Sequence, residues 1–589
     1  MNKLTNDIVA SKLEEIGTLL RLAGANEFKA IAFDRAARTI EGLQEDIADI
    51  IDDKKLTSIK GIGKSIAQDI YTYAETGNIP VLDDLKDKVP EGLIKWLSIS
   101  GLGPKKIYKI HSELNITEID ELKDKCKDGS VASLSGMGAK SADKILKSIE
   151  WMEQFSERCH LDEAMHIADV MVESLSGLDG VQRISVAGSL RRRTETIGDI
   201  DILIAAEGDY INSIFDTFTS HPSVVEILGS GDTKSSVRTN EGRQADLRIV
   251  KPEQFPAALM YFTGSKEHNV VMRQRARDRN MALNEYGLFR LNSEGNTDFD
   301  SPVKTSSEKD IYENVGLHFV PPELREDRNE FNWFEENSEI NLLEEKDIKG
   351  VLHAHSTYSD GKKSILEMAE ACIERGYEYL GITDHSRTAA YAGGLSIDSL
   401  KKQWKEIDRI NNSFQKEGVN FTVLKGIESD ILSDGSLDYP EDILKEFDFI
   451  IASVHSSLEM PADKMLERYK RAIENPYTSI VGHPTGRLLL RRDGSSVDIN
   501  KLIEFAVEHD TAIEINANPW RLDLDWRYGL KAKKEGLMSA ICPDAHTIEG
   551  IDDIKYGVAI ARKGWFEKER ILNTKSAENL LAWFKKGKG

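Results

Sequence analysis

The sequence predicts a multidomain protein: a helical amino-terminal region built from repeated hairpins, a mixed α+β region, and a carboxy-terminal α/β barrel. Three observations carry this reading. A Gly-x-Gly motif recurs within the helical patterns before residue 150, a pair of aspartates stands on a strand pattern near residue 200, and beyond residue 349 apolar runs of strand length alternate with helical stretches. At 589 residues the chain is too long for a single core.

Composition narrows the class before any motif does. With 40% hydrophobic and 30% charged residues the chain is globular, and its formal charge of -23 excludes a surface coated in basic groups, so any nucleic-acid contact must come from local basic segments. The four cysteines, Cys126, Cys159, Cys372 and Cys542, lie far apart without CxxC spacing. That spacing suggests neither a disulfide framework nor a zinc knuckle and fits a reducing cytoplasm. The opening MNKLTNDIVASKLEEIGTLLRLAG reads as an amphipathic helix rather than a signal peptide, and no apolar run approaches membrane-spanning length. A cytoplasmic protein without a membrane role is expected.

The hairpins come first along the chain. Leu56 to Ile70 contains Gly61-Ile62-Gly63-Lys64, Leu97 to Ile110 contains Gly101-Leu102-Gly103-Pro104-Lys105, and Leu134 to Ile149 contains Gly136-Met137-Gly138-Ala139-Lys140. Each has an apolar residue before the glycines and a helical pattern after them, which predicts two helices joined by a tight turn. The glycines free backbone N–H groups at the second helix's start to meet a phosphate, with Lys64, Lys105 or Lys140 beside them. One such turn is usually no more than a helix cap; three copies point to modules that grip a sugar-phosphate backbone without reading sequence.

The α+β region follows, with strand patterns at Arg183 to Val186, Ile200 to Ile204, Val224 to Leu228 and Ala245 to Val250. In Gly188-Ser189-Leu190-Arg191-Arg192-Arg193-Thr194-Glu195-Thr196-Ile197-Gly198-Asp199-Ile200-Asp201 the apolar alternation sets Asp199 and Asp201 side by side on one strand face. Two carboxylates so placed bind divalent cations, and Asp246 in RQADLRIV supplies a third. The Gly-Ser turn and the arginine run add groups that hold phosphates. This is what nucleotidyl transfer requires. A helical stretch from Pro252 to Asn280 comes next, and Pro321-Pro322 with the acidic segment Glu323 to Asp347 reads as a surface connection, partly ordered by Phe331, Trp333 and Phe334.

From Lys349 onward the runs GVLHAHS, YLGITDH, VLKGIESDI, FIIASVH, TSIVGHP, AIEINA and MSAICPDAH alternate with helices, enough for a barrel of parallel strands. Nearly every run ends in a metal-capable residue: His353 and His355, His385, Glu428, His455, His483, then Asp544 and His546, with Asp360 after the first run. His353 and His355 share a face if their run is a strand. Imidazole with carboxylate and no cysteine suits zinc, manganese or iron, and nine such residues exceed what one ion needs. Two or three ions that activate water would make a phosphoesterase. Arg487 and Arg521 are candidate contacts to a substrate phosphate.

These residues resemble two known families. GSLRRRTETIGDIDILI, Asp246, Tyr261-Phe262-Thr263-Gly264-Ser265 and NEYGLF resemble DNA polymerase family X, the polymerase beta family. The resemblance implies that Asp199, Asp201 and Asp246 are the catalytic carboxylates and hold two Mg or Mn ions. Ser189 and Arg192 hold the incoming nucleotide's phosphates, with Gly188 and Gly198 in the same nucleotide-binding set. Tyr261, Phe262 and Gly264 shape the sugar pocket, and Asn269 and Arg273 face the nascent pair and the template. The histidine constellation resembles the PHP (polymerase and histidinol phosphatase) domain, which implies a distorted (β/α)7 barrel with a trinuclear centre of Mn, Zn or Fe. Within the polymerase family a lysine in the amino-terminal domain often gives lyase activity; here Asp69 stands where it is expected, a carboxylate cannot form an imine, and only Lys60 or Lys64 could substitute.

Together the resemblances imply a helical domain at 1–85 with the first hairpin, a fingers-type helical domain at 86–155 with two more, a nucleotidyltransferase palm at 156–255, a thumb at 256–320, a connection at 321–347 and a PHP domain at 348–589. The expected activity is template-directed filling of short gaps in DNA repair with a 3′-5′ exonuclease or 3′-end-processing phosphoesterase attached. The expected partners are gapped or primer-template DNA and dNTPs, and the expected state is a monomer. Two rivals stand beside it: an RNA or small-molecule nucleotidyltransferase fused to a histidinol-phosphatase-like phosphatase, and a DNA-binding scaffold with relict catalytic domains.

Overall fold

In the computed structural model, described for residues 4, 6–41, 47–52, 54–99, 102–155 and 158–586, the chain divides into two compact units, Met1–Ser156 and Glu157–Gly589. The first is all helix. Asn6–Leu22 and Glu27–Glu41 bury Leu13, Ile16, Phe33 and Ile40 on facing stripes, and the later helices add Ile70, Trp96, Ile107, Ile110 and Ile145 to the same core. The hairpin turns lead into Lys64–Thr76, Pro104–Leu114 and Ala139–Phe155. Gly63 and Gly103 stand at the starts of the first two with no side-chain cap, so the leading N–H groups take no partner from a capping side chain. Gly61 and Gly136 sit at φ +110° and +76°, which selects glycine, whereas a Cβ at Gly63, Gly103 or Gly138 would meet nothing within 4 Å. Internal packing therefore does not explain the second glycine of each motif. Gly101 lies outside the described residues.

The second unit opens with a five-stranded mixed sheet in the spatial order 183–186, 199–205, 244–250, 234–239, 224–230. Only the 199–205 and 244–250 pair is parallel. Helices Leu161–Ser176 and Tyr210–Thr219 bury Ile167, Met171, Ile214 and Phe218 in one core with Ile200, Ile202, Ile204 and Leu247 of the sheet. The strand Lys234–Thr239 has no apolar run and was not among the expected strands; its inward residues Ser235, Val237 and Thr239 are small enough to lie under the helices. The helical stretch after the sheet is two helices, Phe255–Thr263 and Lys266–Arg277, the second capped by Ser265, whose Oγ accepts the backbone N–H of His268. A three-stranded antiparallel sheet over 281–303 and the helix Glu308–Asn314 complete this part.

The acidic stretch expected as a surface connection is instead built into the core. Helix Glu330–Glu336 buries Phe331 and Phe334 against Met260, Met272 and Tyr312 on one side and Trp565 of the barrel on the other. Glu335 and Glu336 lie on the outer face, whereas Glu330 is buried and accepts from His268 Nδ1 at 2.9 Å, a pairing that the acidic composition does not reveal.

Beyond it, seven parallel runs close a barrel: Gly350–Ala354, Tyr379–Ile382, Thr422–Lys425 continuing as Glu428–Asp430, Ile451–Ser453, Ile480–Val481, Ala512–Asn516 and Ser539–Cys542. The third run breaks at Gly426-Ile427, so the ladder is two sheets joined by bridges His385–Glu428 and Ala354–Ala545. Helices cover the outside. Ile397–Glu417, for example, starts where Ser396 accepts the Ser399 N–H and stops at Gly418 in the left-handed region. Among the described residues no helix is long and apolar enough to cross a membrane, and all four cysteines are free and buried.

Because Phe334 is core, Phe334→Ala in the full chain should cost about 3–5 kcal/mol, measured as a lowered midpoint of urea unfolding. A surface connection would give a change within about 0.5 kcal/mol.

Candidate metal centres

The first centre is fixed by strand register. In the parallel pair Asp201 lies opposite Asp246, and Asp199 sits two residues back on the same face, so ligand oxygens of all three lie within 4.8 Å of one another. Three anions this close raise each other's energy. Burial, then Asp199, then Asp246 push the Asp201 carboxyl up to about 7. Burial acts the same way on Asp246, but hydrogen bonds from Lys234, Ser236 and Gln244 outweigh it and hold that carboxyl below its ordinary value. Lys234 Nζ lies 2.7 Å from Asp246 Oδ2, and Gln244 Nε2 donates to Oδ1 at 3.0 Å. One lysine against three carboxylates leaves a charge deficit that divalent cations fit.

Of the residues expected on the phosphate side, Gly188 is packed against this triad. Gly188 is at φ +58°, and a Cβ there would lie 2.2 Å from Asp201 Oδ2, so any side chain displaces a ligand carboxylate. Ser189 is half-buried on the short helix Gly188–Arg191 that follows, and Gly198 is half-buried beside Arg158. Arg192 donates from Nε to Glu326 at 2.9 Å and from Nη1 to the Thr263 carbonyl at 2.7 Å. A Cβ at Gly264 would stand 3.2 Å from that Nη1. A small cavity lined by Ala187, Asp201, Asp246, Arg248 and Phe262 opens beside the carboxylates, with the Arg248 guanidinium 4.3 Å from the Phe262 ring centre. Tyr261 meets Phe262 edge to face; Asn269 donates to the Tyr261 carbonyl at 2.7 Å, and Arg273 is exposed one turn beyond.

The second centre lies at the ends of the barrel strands. Donor atoms gather into three adjoining corners: His355, Asp360, His385 and His546; His353, His355 and Asp544; and His385, Glu428 and His455. His355 and His385 are each shared by two corners, and His483 joins the third through Nε2, 3.0 Å from Glu428. His353 and His355 do not form the flat strand pair expected of them. The pairing register shifts between Val351 and Ala354, and His353 adopts φ +66°, yet both rings reach Asp544, at 3.5 and 3.1 Å. Asp544 is also in the left-handed region, at φ +55°. Such conformations cost about 1–3 kcal/mol each and persist where surrounding structure imposes them.

Unsatisfied atoms make the case for metal. His353 Nε2, His355 Nδ1 and His483 Nδ1 are buried without a hydrogen-bond partner among the described residues, while His385 Nδ1 faces Glu428 Oε2 at 2.8 Å. Burial pushes His355 down to about 4, so its ring is neutral and offers a lone pair. The Glu428 carboxyl is held well below the usual range: burial opposes this, and His455, His353 and His385 outweigh it. A buried array of lone pairs facing carboxylates is costly alone and fits a set of divalent cations.

Two supporting carboxylates escaped the sequence reading. Glu514, wholly buried inside the run AIEINA, accepts from His353 Nδ1 at 2.6 Å and from the backbone N–H of His483. Asp430 accepts from His455 Nδ1 at 2.6 Å. Each fixes a ring so that its other nitrogen faces the centre. Cys542 also lies near His353 and Glu514, where burial, then Glu514, raises its thiol well above the ordinary value. Arg487 departs from expectation. Its three donors go to Asp525 at 2.5 Å and to the Arg521 and Leu522 carbonyls, which makes it a brace for that loop rather than a free phosphate contact. Arg521 stays available, with Nε 3.7 Å from Asp544.

Gly188→Ala should abolish nucleotide incorporation while leaving any barrel activity intact, read by assaying both on one preparation. Glu514→Gln should weaken metal binding by the barrel about 10–100-fold, read by chelator competition, without a comparable fall in melting temperature.

Comparison with known families matches this geometry region by region. Helix-hairpin-helix models match residues 4–79 and 94–150, the DNA polymerase beta palm 158–231, the DNA polymerase beta thumb 258–326 and the PHP domain 352–518. The chain is 42% identical over 577 residues, 98% of each chain, to the DNA polymerase/3′-5′ exonuclease PolX of Bacillus subtilis (strain 168). Over 54% of its length it is 23% identical to DNA polymerase lambda of Rattus norvegicus, covering 56% of that protein. Over 38% it is 30% identical to a probable phosphatase of Thermoanaerobacter sp. (strain X514), covering 91% of it. A carboxylate triad on a polymerase beta palm and a histidine centre on a PHP barrel, joined in one chain that aligns end to end with such a protein, place it in a family: the chain belongs to the family X DNA polymerases that carry a carboxy-terminal PHP domain.

Proposed function

We propose that this protein is a template-directed DNA polymerase that fills short gaps in DNA repair and carries a 3′-5′ exonuclease, or 3′-end-processing phosphoesterase, in its PHP domain. The observation that carries the reading is the gathering of both ligand sets within one compact unit, Asp199, Asp201 and Asp246 in one and, in the other, eight grouped histidines and carboxylates with His483 against Glu428. The domains are taken as 1–85, 86–155, 156–255, 256–320 and 348–589, with 321–347 tying thumb to barrel.

In the palm, Asp199, Asp201 and Asp246 hold two Mg or Mn ions, which when bound lower the pKa of a primer hydroxyl and neutralise the nucleotide's phosphates. Ser189 and Arg192 orient those phosphates in line, with Gly188 and Gly198 giving them room. Tyr261, Phe262 and Gly264 close on the sugar, which supports selection of deoxynucleotides, while Asn269 and Arg273 meet the nascent pair and template. In the barrel, His353, His355, Asp360, His385, Glu428, His455, His483, Asp544 and His546 hold two or three Mn, Zn or Fe ions, with Arg521 the remaining candidate for the scissile phosphate. Gly61, Gly63, Lys64, Gly101, Gly103, Lys105, Gly136, Gly138 and Lys140 grip the DNA backbone in a salt-sensitive way. Lyase chemistry by the family's usual route is not expected, because Asp69 stands where the family lysine is expected, and Lys60 or Lys64 would have to substitute. The protein works as a cytoplasmic monomer. The rival pairing of an RNA or small-molecule nucleotidyltransferase with a phosphatase is weaker, since likeness to the B. subtilis polymerase runs through hairpins, palm, thumb and barrel alike.

On a gapped duplex, Asp199→Ala should stop primer extension and spare degradation, and His353→Ala with His355→Ala should do the reverse. No templated incorporation by the intact protein with either Mg or Mn, or loss of both activities through one site, overturns the reading.

A further inference from the structure

Lys563 has no part in either centre, yet it is 1% exposed. It ends the barrel helix Ile554–Lys563, and its ammonium lies 4.4 Å from the Trp526 ring centre. Nζ donates to the Arg192 carbonyl at 3.1 Å and the Glu323 carbonyl at 3.4 Å, and pairs with the Glu326 carboxylate. The same oxygen of Glu326 accepts Arg192 Nε at 2.9 Å. Three residues along the same palm loop, buried Glu195 accepts Trp526 Nε1 at 2.8 Å and Arg527 Nη1 at 2.6 Å. The barrel therefore grips the loop 192–195 at two points.

The charges make this more than packing. Lys563 and Arg192 share one carboxylate oxygen, so the position of Glu326, and with it that of Arg192, depends on Lys563. With Nε and Nη1 committed to Glu326 and the Thr263 carbonyl, Nη2 makes no hydrogen bond to a described residue. Without Lys563 the carboxylate would be free to move with Arg192 alone, changing the reach of that guanidinium.

We propose that Lys563 of the barrel is a positioning residue of the polymerase centre: through Glu326 it sets Arg192 against the incoming nucleotide's phosphates. This rests on the reading of Arg192 as a phosphate contact. The PHP domain then contributes to synthesis as well as to degradation.

The test measures dNTP KM and kcat on gapped DNA, and 3′-5′ degradation, in the full-length protein. Lys563→Met should raise KM about tenfold, the size of one charged hydrogen bond, with kcat within about twofold and degradation unchanged. Glu326→Gln should raise KM similarly, and Lys563→Met added to it should change KM no further. Unchanged KM in folded Lys563→Met, additive effects of the two substitutions, or parallel loss of extension and degradation overturns the proposal. If Lys563→Met fails to fold, Glu326→Gln, which keeps the side-chain volume, decides alone: an unchanged KM overturns it. Arg192→Ala separates the layers, because an unchanged KM there refutes the phosphate role of Arg192, whereas a raised KM there with none in Lys563→Met refutes only the positioning.

Discussion

The unit Glu157–Gly589 depends on how it buries the charges of one loop. Between Gly188 and Glu195 the chain carries three arginines and a glutamate, and three of these four side chains find partners in other parts of the fold. Arg191 pairs with Glu308 at 2.6 Å, and Glu308 is shared with the wholly buried Arg325 at the thumb's end. Arg192 shares Glu326 with Lys563, and Glu195 is held by Trp526 and Arg527. Burial would push the Glu195 carboxyl up, but Arg527 and Arg487 outweigh it and bring it to about 2, so it stays ionised. Removing one member of such a set leaves a charge without its counter-ion and costs about 3–5 kcal/mol. Gly188 at the head of the loop meets Asp201, so the metal carboxylates and the domain junctions rest on the same few residues.

The two centres solve opposite electrostatic problems. In the palm, like charges are forced together by strand register, and Lys234 offsets part of the repulsion. A cation is attracted by the excess negative charge, and the open side of the triad leaves room for substrate. In the barrel the dominant groups are imidazole rings whose orientation decides which nitrogen faces the centre, since a ring has one lone pair to offer a metal once its other nitrogen is committed. Glu514 and Asp430 make that commitment for His353 and His455, and the strained backbone at His353 and Asp544 aims the side chains. The first centre depends on charge and register, the second on hydrogen-bonded orientation.

Much of this was legible in the sequence, for definable reasons. Alternation about Asp199 and Asp201 is a local signal because strand period alone puts them on one face, and the hairpins and strand-end histidines declare themselves by repetition. Signals that depend on a distant partner were silent. Lys234 sits in KSSVRT, a polar run whose strand character comes only from the neighbour that covers it. Glu514 hides as one carboxylate in an apolar strand, and nothing local says that it faces His353. Arg487 reads like any phosphate-binding arginine, yet its acceptors come from residues 521–525. The acidic stretch before the barrel looked like a linker because its charges outnumber Phe331 and Phe334, the residues that fix its place.

A junction made of such charges has a property that an apolar one lacks. Apolar surfaces can slide by an ångström or two and lose little, because dispersion and burial are not directional. Here Lys563, Glu195 and Glu326 each meet particular donors or acceptors, and a shift of one residue would strand at least one charge in a poorly solvated space. Palm, thumb and barrel are thereby restricted to one relative arrangement. That is the condition under which a lysine of the barrel can hold an arginine of the palm.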